Sequence, residues 1–243
     1  MMCAHRHRMV RHDEKGVALL VALMAMSVFS VLGMALALTA SVDRLAATNH
    51  ELAVELGNFA ETALELAIRD LGAANWDDVL RGVTQSASTD GPPGVRQPWP
   101  GLELDLGLLT NALTCGQSAT CSDGATQAAT VDRPWGANNA RWQLFLHTLL
   151  QIDTPSRQGS AYVIVWVGDD GSEVDDDPLT DGGGPAGEGR YIIRAHAEAF
   201  APDGGGHAIE AELARSCPMV AGVETCAPGI RVHSWRVVKG ALH

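Results

Sequence analysis

The chain has 243 residues, of which 46% are hydrophobic and only 5% aromatic, and 26 of them are glycines. This length suits one sizeable domain with an additional segment, and the composition predicts a loop-rich domain with a modest core. The formal net charge is −12 at pH 7. An acidic chain repels nucleic-acid phosphates, so nucleic-acid binding is disfavoured.

Residues 1–16 form a short basic leader. Arg6, Arg8, Arg11 and Lys15 outnumber two acidic side chains there, whereas the rest of the chain has 13 basic and 27 acidic side chains. A basic segment directly before an apolar one is typical of the cytoplasmic flank of a membrane helix.

An uncharged run of 27 residues follows, from Gly16 to Val42. As a helix it would span roughly 40 Å, enough to cross the hydrocarbon core of a bilayer. A cleaved signal peptide has an apolar core of only about 7 to 15 residues, so we predict an uncleaved transmembrane segment over residues 17–42. Because "ALALTA" at residues 35–40 resembles a signal-peptidase site, cleavage after Ala40 stays an alternative.

Residues 43–72 contain no Pro and continue the helical pattern as an amphipathic segment. Apolar residues recur three, four or seven positions apart, at Leu45, Leu52, Leu56, Phe59, Ala63 and Leu66. This periodicity places them on one helix face. We therefore predict one continuous helix from about residue 17 to 71, roughly 80 Å long, that ends at Gly72.

Together these features resemble the type IV pilin-like proteins, and among them the PilX-type minor pilins. The shared features are a leader ending in Gly16, the "ALLVAL" that begins two residues later, Leu32-Gly33, Asn49 and "AETALELA" at residues 60–67. The similarity covers about residues 14–72, under a third of the chain. GspK-like minor pseudopilins of type II secretion are near relatives of this group.

The resemblance implies that prepilin peptidase cleaves between Gly16 and Val17 and methylates the new amino terminus. Glycine suits a tight scissile position because it has no side chain; the alternative is that Gly16 merely precedes a transmembrane helix. The implied partners are other major and minor pilins, through the N-terminal helix, and the inner-membrane pilus assembly platform. The implied location is the inner membrane, with a periplasmic domain, and then a pilus or pseudopilus on the cell surface.

Two positions depart from the family pattern. Val17 stands where many pilins have Phe, and Val21 stands where most major pilins have Glu. That Glu is thought to pair with a neighbouring amino terminus, which offsets part of its burial cost, so Val21 implies a minor subunit at or near the fibre tip. Gly33 and Ala37 form a small-xxx-small pair that would let another helix approach closely. The alternative is that Gly33 has no such role and is merely tolerated in a membrane helix.

Residues 73–243 are expected to form an exported globular domain. Four segments rich in β-branched or aromatic residues, at 160–170, 190–201, 207–217 and 229–238, predict β-strands separated by Gly/Asp/Pro turns. Residues 138–153 suit either a strand or a short helix, and the fold of residues 73–160 stays open. The predicted fold class is α+β and pilin-like, with a long N-terminal helix packed on an antiparallel sheet.

Five cysteines are present, and Cys3 lies in the leader. The other four form two close pairs, Cys115 with Cys121 and Cys217 with Cys226. An even number in an exported domain favours disulfides. Four cysteines allow three connectivities, and neither pair has the CxxC spacing of a zinc knuckle. We expect two local disulfides.

Seven carboxylates lie within 13 residues of a Gly-rich loop, from Asp169 to Asp181. Such a cluster repels itself unless a cation or solvent intervenes, and a hard oxygen-ligated cation such as Ca²⁺ suits it. The best ligand candidates are Asp169, Glu173, Asp175 and Asp177. The spacing is not that of an EF-hand, and a solvated acidic turn is the alternative.

No GxSxG, HExxH, Walker or Rossmann motif is present, so we expect a non-catalytic protein. Trp135, Trp142, Trp166 and Trp235 are expected to be core residues rather than a ligand platform. The preferred hypothesis is a PilX-type minor pilin that primes pilus assembly. The alternatives are a single-pass inner-membrane protein whose acidic domain binds calcium or another ligand, and a minor pseudopilin of type II secretion.

Overall fold

The computed structural model describes residues 15–129, 135–154, 157–173, 175–182, 191–227 and 229–241. Residues 1–14 of the predicted leader, which include Cys3, lie outside the described residues. The chain divides into two compact units, residues 1–51 and residues 52–243.

Helix α1 runs from Lys15 to Leu71 without interruption and contributes to both units. Its composition explains this length, because the segment has no Pro and is dominated by Ala and Leu, which favour helices. It ends where Gly72 follows, with the amide of Gly72 donating to the Ile68 carbonyl over 3.1 Å. The prediction of one helix over residues 17–71 is confirmed.

The second unit adds three short α-helices and nine strands among the described residues. Its helices are α2 (Trp76–Leu80), α3 (Leu106–Cys115) and α4 (Asp123–Ala128). Its strands are β1 (Val95–Trp99), β2 (Leu102–Asp105), β3 (Gln143–Thr154), β4 (Arg157–Asp169), β5 (Ile192–Phe200), β6 (Gly206–Arg215), β7 (Met219–Val220), β8 (Val223–Glu224) and β9 (Ile230–Val238). The four predicted strands are confirmed as β4, β5, β6 and β9, and residues 143–154 form a strand.

The main sheet has five strands in the order β3-β4-β5-β6-β9, and all neighbouring pairs are antiparallel. Two small two-stranded sheets, β1-β2 and β7-β8, accompany it. The fold is therefore α+β, with a long N-terminal helix and an antiparallel sheet, as the sequence predicts.

Alternation along the strands gives the sheet two different faces, because successive side chains of a strand point to opposite sides. One face carries Val163, Val165 and Val167 of β4, and α1 covers it with Leu56, Phe59 and other buried side chains. The other face carries Tyr162, Ile164 and Trp166 of β4, which pack against Leu104, Leu106 and Leu109 from β2 and α3.

Small residues are frequent in the buried cluster between α1 and the sheet. Ala60, Ala63 and Ala67 of the helix and Ala195, Ala197 and Ala199 of β5 all belong to it. Alanine and leucine are the most numerous residues of this cluster.

Both expected disulfides are present. Cys115 is bonded to Cys121 and Cys217 to Cys226, with sequence separations of six and nine residues. The first begins at the last residue of α3, where Gly116 adopts a left-handed conformation (φ +70°) and its amide donates to the Ala112 carbonyl. The second encloses the β7-β8 hairpin, so both bridges close local loops.

Candidate functional site

The first candidate site is the N-terminal part of α1. Every described side chain from residue 17 to residue 51 is exposed. Val17 and Val21 are exposed by 67% and 59%, Ala37 is exposed, and a Cβ added at Gly33 would meet nothing within 4 Å. The helix is long and apolar enough to cross a membrane, by length and composition.

This exposure has a direct physical consequence. Burial of a Val, Leu or Met side chain is favourable by about 1.5–3 kcal/mol, and more than a dozen such side chains are exposed between Val17 and Val42. An exposed apolar surface of this size is typical of a segment that contacts a membrane or another protein. The small residues Gly33 and Ala37 leave room on it for a second helix backbone.

The second candidate site is a carboxylate cluster at the C-terminal end of β4. Asp169 is the last residue of that strand, and Glu173 and Asp175 lie in the loop that follows. Each of these three residues places one carboxylate oxygen within 4.8 Å of an oxygen of both others. Asp169 and Glu173 are only 2% and 1% exposed, so two of the three acidic groups are inside the protein.

Burial and mutual repulsion make ionisation of this cluster difficult. Burial, followed by the charges of Glu173, Asp175 and Asp181, raises the pKa of Asp169 to about 9. Burial, followed by the charges of Asp175, Asp181 and Asp170, raises the pKa of Glu173 to about 8. Without a compensating charge, both groups favour the protonated form at neutral pH.

The structure brings together three of the four predicted ligands and leaves out Asp177. The Asp177 side chain is exposed and accepts a hydrogen bond from the amide of Leu179 over 3.2 Å, so it stabilises a local turn. Asp181, which the sequence-based ligand set omitted, is buried near the cluster. It pairs with Arg215 at 3.5 Å and accepts a 2.6 Å hydrogen bond from the amide of Tyr191. Its carboxylate therefore has partners of its own.

A third polar group lies on the face of β5, β6 and β9 that is turned away from α1. The Arg194 guanidinium forms an ion pair with Glu210, with Nε 3.0 Å from Oε1, and Arg236 approaches the same oxygen at 3.2 Å. His196, which is 1% exposed, lies 4.0 Å from Glu210 and 3.9 Å from Glu198. Arg194, His196, Glu210 and Arg236 border a cleft of about 620 Å³.

The charged groups of this network stabilise one another in their ionised forms. Burial lowers the pKa of His196, but Glu198 and Glu210 outweigh this effect and raise it. Burial raises the pKa of Glu210, but His196, Arg194 and Arg236 outweigh it and lower the pKa to about 2. The sequence does not indicate this network, because Glu210 and Arg236 come from strands other than the one that carries His196.

The expectation that four tryptophans are core residues is correct for Trp142 and Trp166 and wrong for the other two. Trp135 is 39% exposed and Trp235 is 56% exposed. Trp235 lies on β9, the last strand of the sheet, next to Ala211 of β6. Helix α1 covers Ala211, whereas β9 lies beyond that cover, so side chains on both faces of β9 are exposed.

Comparison of the chain with protein-family models, curated proteins and solved structures found no match.

Proposed function

We propose that this protein is a PilX-type minor pilin, a non-catalytic subunit that primes pilus assembly or lies at or near the fibre tip. The observation that carries the proposal is helix α1. Its residues 17–51 present an exposed apolar surface, and its residues 52–71 pack on an antiparallel sheet. One helix thus supplies both a surface for membrane or fibre packing and part of a folded domain.

The proposed role follows from the chemistry of that exposed surface. In the inner membrane, lipid would cover residues 17–42; in the fibre, the helices of other major and minor pilins would replace the lipid. Gly33 and Ala37 would allow close helix contacts. Val21 brings no charge into this environment, so the subunit needs no amino-terminal partner for a buried carboxylate, which favours a minor position.

The test of this proposal is the mature amino terminus. Mass spectrometry of the protein purified from its native membranes is expected to find a chain that begins with N-methylated Val17. Gly16→Leu is expected to block this processing, because a bulky side chain enters the proposed scissile position. Ala22→Leu is the matched control, since Ala22 is an exposed position on the same helix, and it is expected to be processed normally.

Three outcomes would contradict the pilin proposal. An intact leader would indicate an ordinary membrane anchor, and a chain that begins after Ala40 would indicate a signal peptide. Normal processing of Gly16→Leu would also count against prepilin peptidase.

The carboxylate cluster favours a second candidate function. A single-pass inner-membrane protein with an exported cation-binding domain would need the same apolar helix and would use Asp169, Glu173 and Asp175. A minor pseudopilin of type II secretion would share the processed amino terminus. Shearing of surface fibres separates the candidates: a pilus subunit is released with the fibres, whereas an anchored protein stays with the membrane.

A further inference from the structure

Strand β9 has one strand neighbour among the described residues, which is β6. Every second residue of such an edge strand points its amide and carbonyl away from the sheet, where they can pair with a further strand. The backbone hydrogen bonds that residues 230–238 form with described residues are confined to the pairing with β6. The strand therefore offers main-chain groups to a partner.

The side of β9 that points the same way as α1 is apolar. Val232, Trp235 and Val237 pair with residues of β6 that belong to the buried cluster between α1 and the sheet, so their side chains point to that side. Their exposed fractions are 46%, 56% and 59%. A strand added next to β9 would cover part of this apolar surface, and burial of apolar surface favours association.

The opposite side of β9 is basic. Alternation along the strand places Arg231 there, and His233 and Lys239 border the same cleft as Arg236. Arg236 already approaches Glu210 at 3.2 Å, so the charge offered to a partner comes from Arg231 and Lys239. Both are exposed, and neither forms an ion pair with the residues that the structure describes.

The charge of this segment contrasts with that of the whole chain. The formal net charge of the protein is −12, yet residues 225–243 contain Arg231, Arg236 and Lys239 and no Asp or Glu. Such a segment attracts acidic groups and repels basic ones. A partner that suits both sides of β9 has apolar side chains on one side and carboxylates on the other.

We propose that β9 is the docking site for an extended acidic segment of another protein, which adds to the main sheet next to β9. Alternation along that segment would place apolar side chains beside Val232, Trp235 and Val237, and Asp or Glu beside Arg231 and Lys239. Main-chain hydrogen bonds would supply affinity. Opposite charges on neighbouring strands would fix the register and select the partner.

The test measures the binding of synthetic peptides to the full-length protein in detergent by fluorescence anisotropy. A labelled peptide with the nine-residue length of β9, in which Val and Glu alternate, is expected to bind saturably. The same peptide with Lys in place of Glu is expected to bind about tenfold more weakly or less, since like charges on neighbouring strands are unfavourable. In hydrogen exchange, the Val/Glu peptide is expected to protect amides of residues 230–238.

Charge reversal at β9 is expected to reverse the preference between the two peptides. Arg231→Glu combined with Lys239→Glu is expected to weaken binding of the Val/Glu peptide by about tenfold and to strengthen binding of the Val/Lys peptide. The Tm is expected to stay unchanged because both positions are exposed. Arg44→Glu combined with Arg81→Glu is the matched control, with the same charge change at exposed positions outside β9 and an unchanged preference.

Three results would overturn this proposal. The first is that the wild type does not bind the Val/Glu peptide, or binds both peptides equally well. The second is that the bound peptide protects amides elsewhere and none in residues 230–238. The third is self-association through β9 in sedimentation without peptide, which would assign the strand to a second copy of the chain. None of these results depends on processing at Gly16, so the pilin proposal is tested separately.

Discussion

Trp76→Ala is expected to lower the free energy of unfolding of the unit formed by residues 52–243 by about 3–5 kcal/mol. Trp76 is fully buried in the cluster between α1 and the sheet. Its Nε1 donates to the Leu71 carbonyl over 3.2 Å, at the end of α1, and Arg215 stacks on its ring. The substitution leaves a large cavity and removes the hydrogen bond and the stacking contact together.

Trp235→Ala is the matched control for this prediction. It makes the same chemical change at a side chain that is 56% exposed, so we expect a loss of less than about 1 kcal/mol. Scanning calorimetry of the full-length chain in detergent measures both variants without relying on tryptophan fluorescence. Equal destabilisation by the two substitutions would mean that Trp76 is not the core residue described above.

Glu210→Gln is expected to destabilise the protein at pH 7 by on the order of 2–3 kcal/mol and to change its acid sensitivity. The pKa of Glu210 is about 2 in the folded protein, against about 4.5 in an unfolded chain. A lowered pKa contributes stability that is present above pH 4.5 and is lost as the pH falls through about 2. The wild-type and Gln proteins should therefore converge in stability between these pH values.

The charges around Glu210 come from two neighbouring strands. Arg194 and His196 lie on β5 and Arg236 lies on β9, so the Gln variant leaves these groups without their carboxylate. Glu212→Gln is the control, because Glu212 is an exposed residue on the same strand and the same face that accepts one hydrogen bond from Ser234. Chemical unfolding at a series of pH values gives the comparison. If the difference in free energy of unfolding between wild type and Glu210→Gln stayed constant from pH 7 to pH 2, the lowered pKa of Glu210 would not be its cause.

Much of the fold could be predicted because its elements have clear local patterns. The 55 residues from Val17 to Leu71 have continuous helical composition, and β4, β5, β6 and β9 have β-branched runs bounded by turn residues. The disulfides followed from short sequence separations. By contrast, residues 76–142 combine short helices and a small hairpin whose patterns are too brief to indicate one structure.

The errors concern contacts between residues that are distant in sequence. Asp177 and Asp181 belong to the same acidic loop, yet Asp177 is exposed and Asp181 is buried beside Arg215. Trp76 and Trp235 are likewise indistinguishable as residue types, and only the strand order shows that β9 lies outside the cover of α1. Strand order and loop placement are properties of the assembled chain, and no local pattern encodes them.

The two edges of the five-stranded sheet differ in how they can meet another chain. At β3 the edge is already occupied, because the amides of Ser86 and Asp90 donate to the carbonyls of Phe145 and His147 over 2.8 and 2.9 Å. At β9 the only strand neighbour among the described residues is β6. Among the described residues, the β9 edge is therefore the more open of the two.

An open edge strand with exposed Val232, Trp235 and Val237 is a template for uncontrolled strand addition. On β9 these apolar residues are interspersed with Arg231 and Arg236, and charged side chains on an edge strand discourage sheet-to-sheet aggregation. Arg231 and Arg236 are therefore expected to disfavour edge-to-edge joining of two copies of this domain.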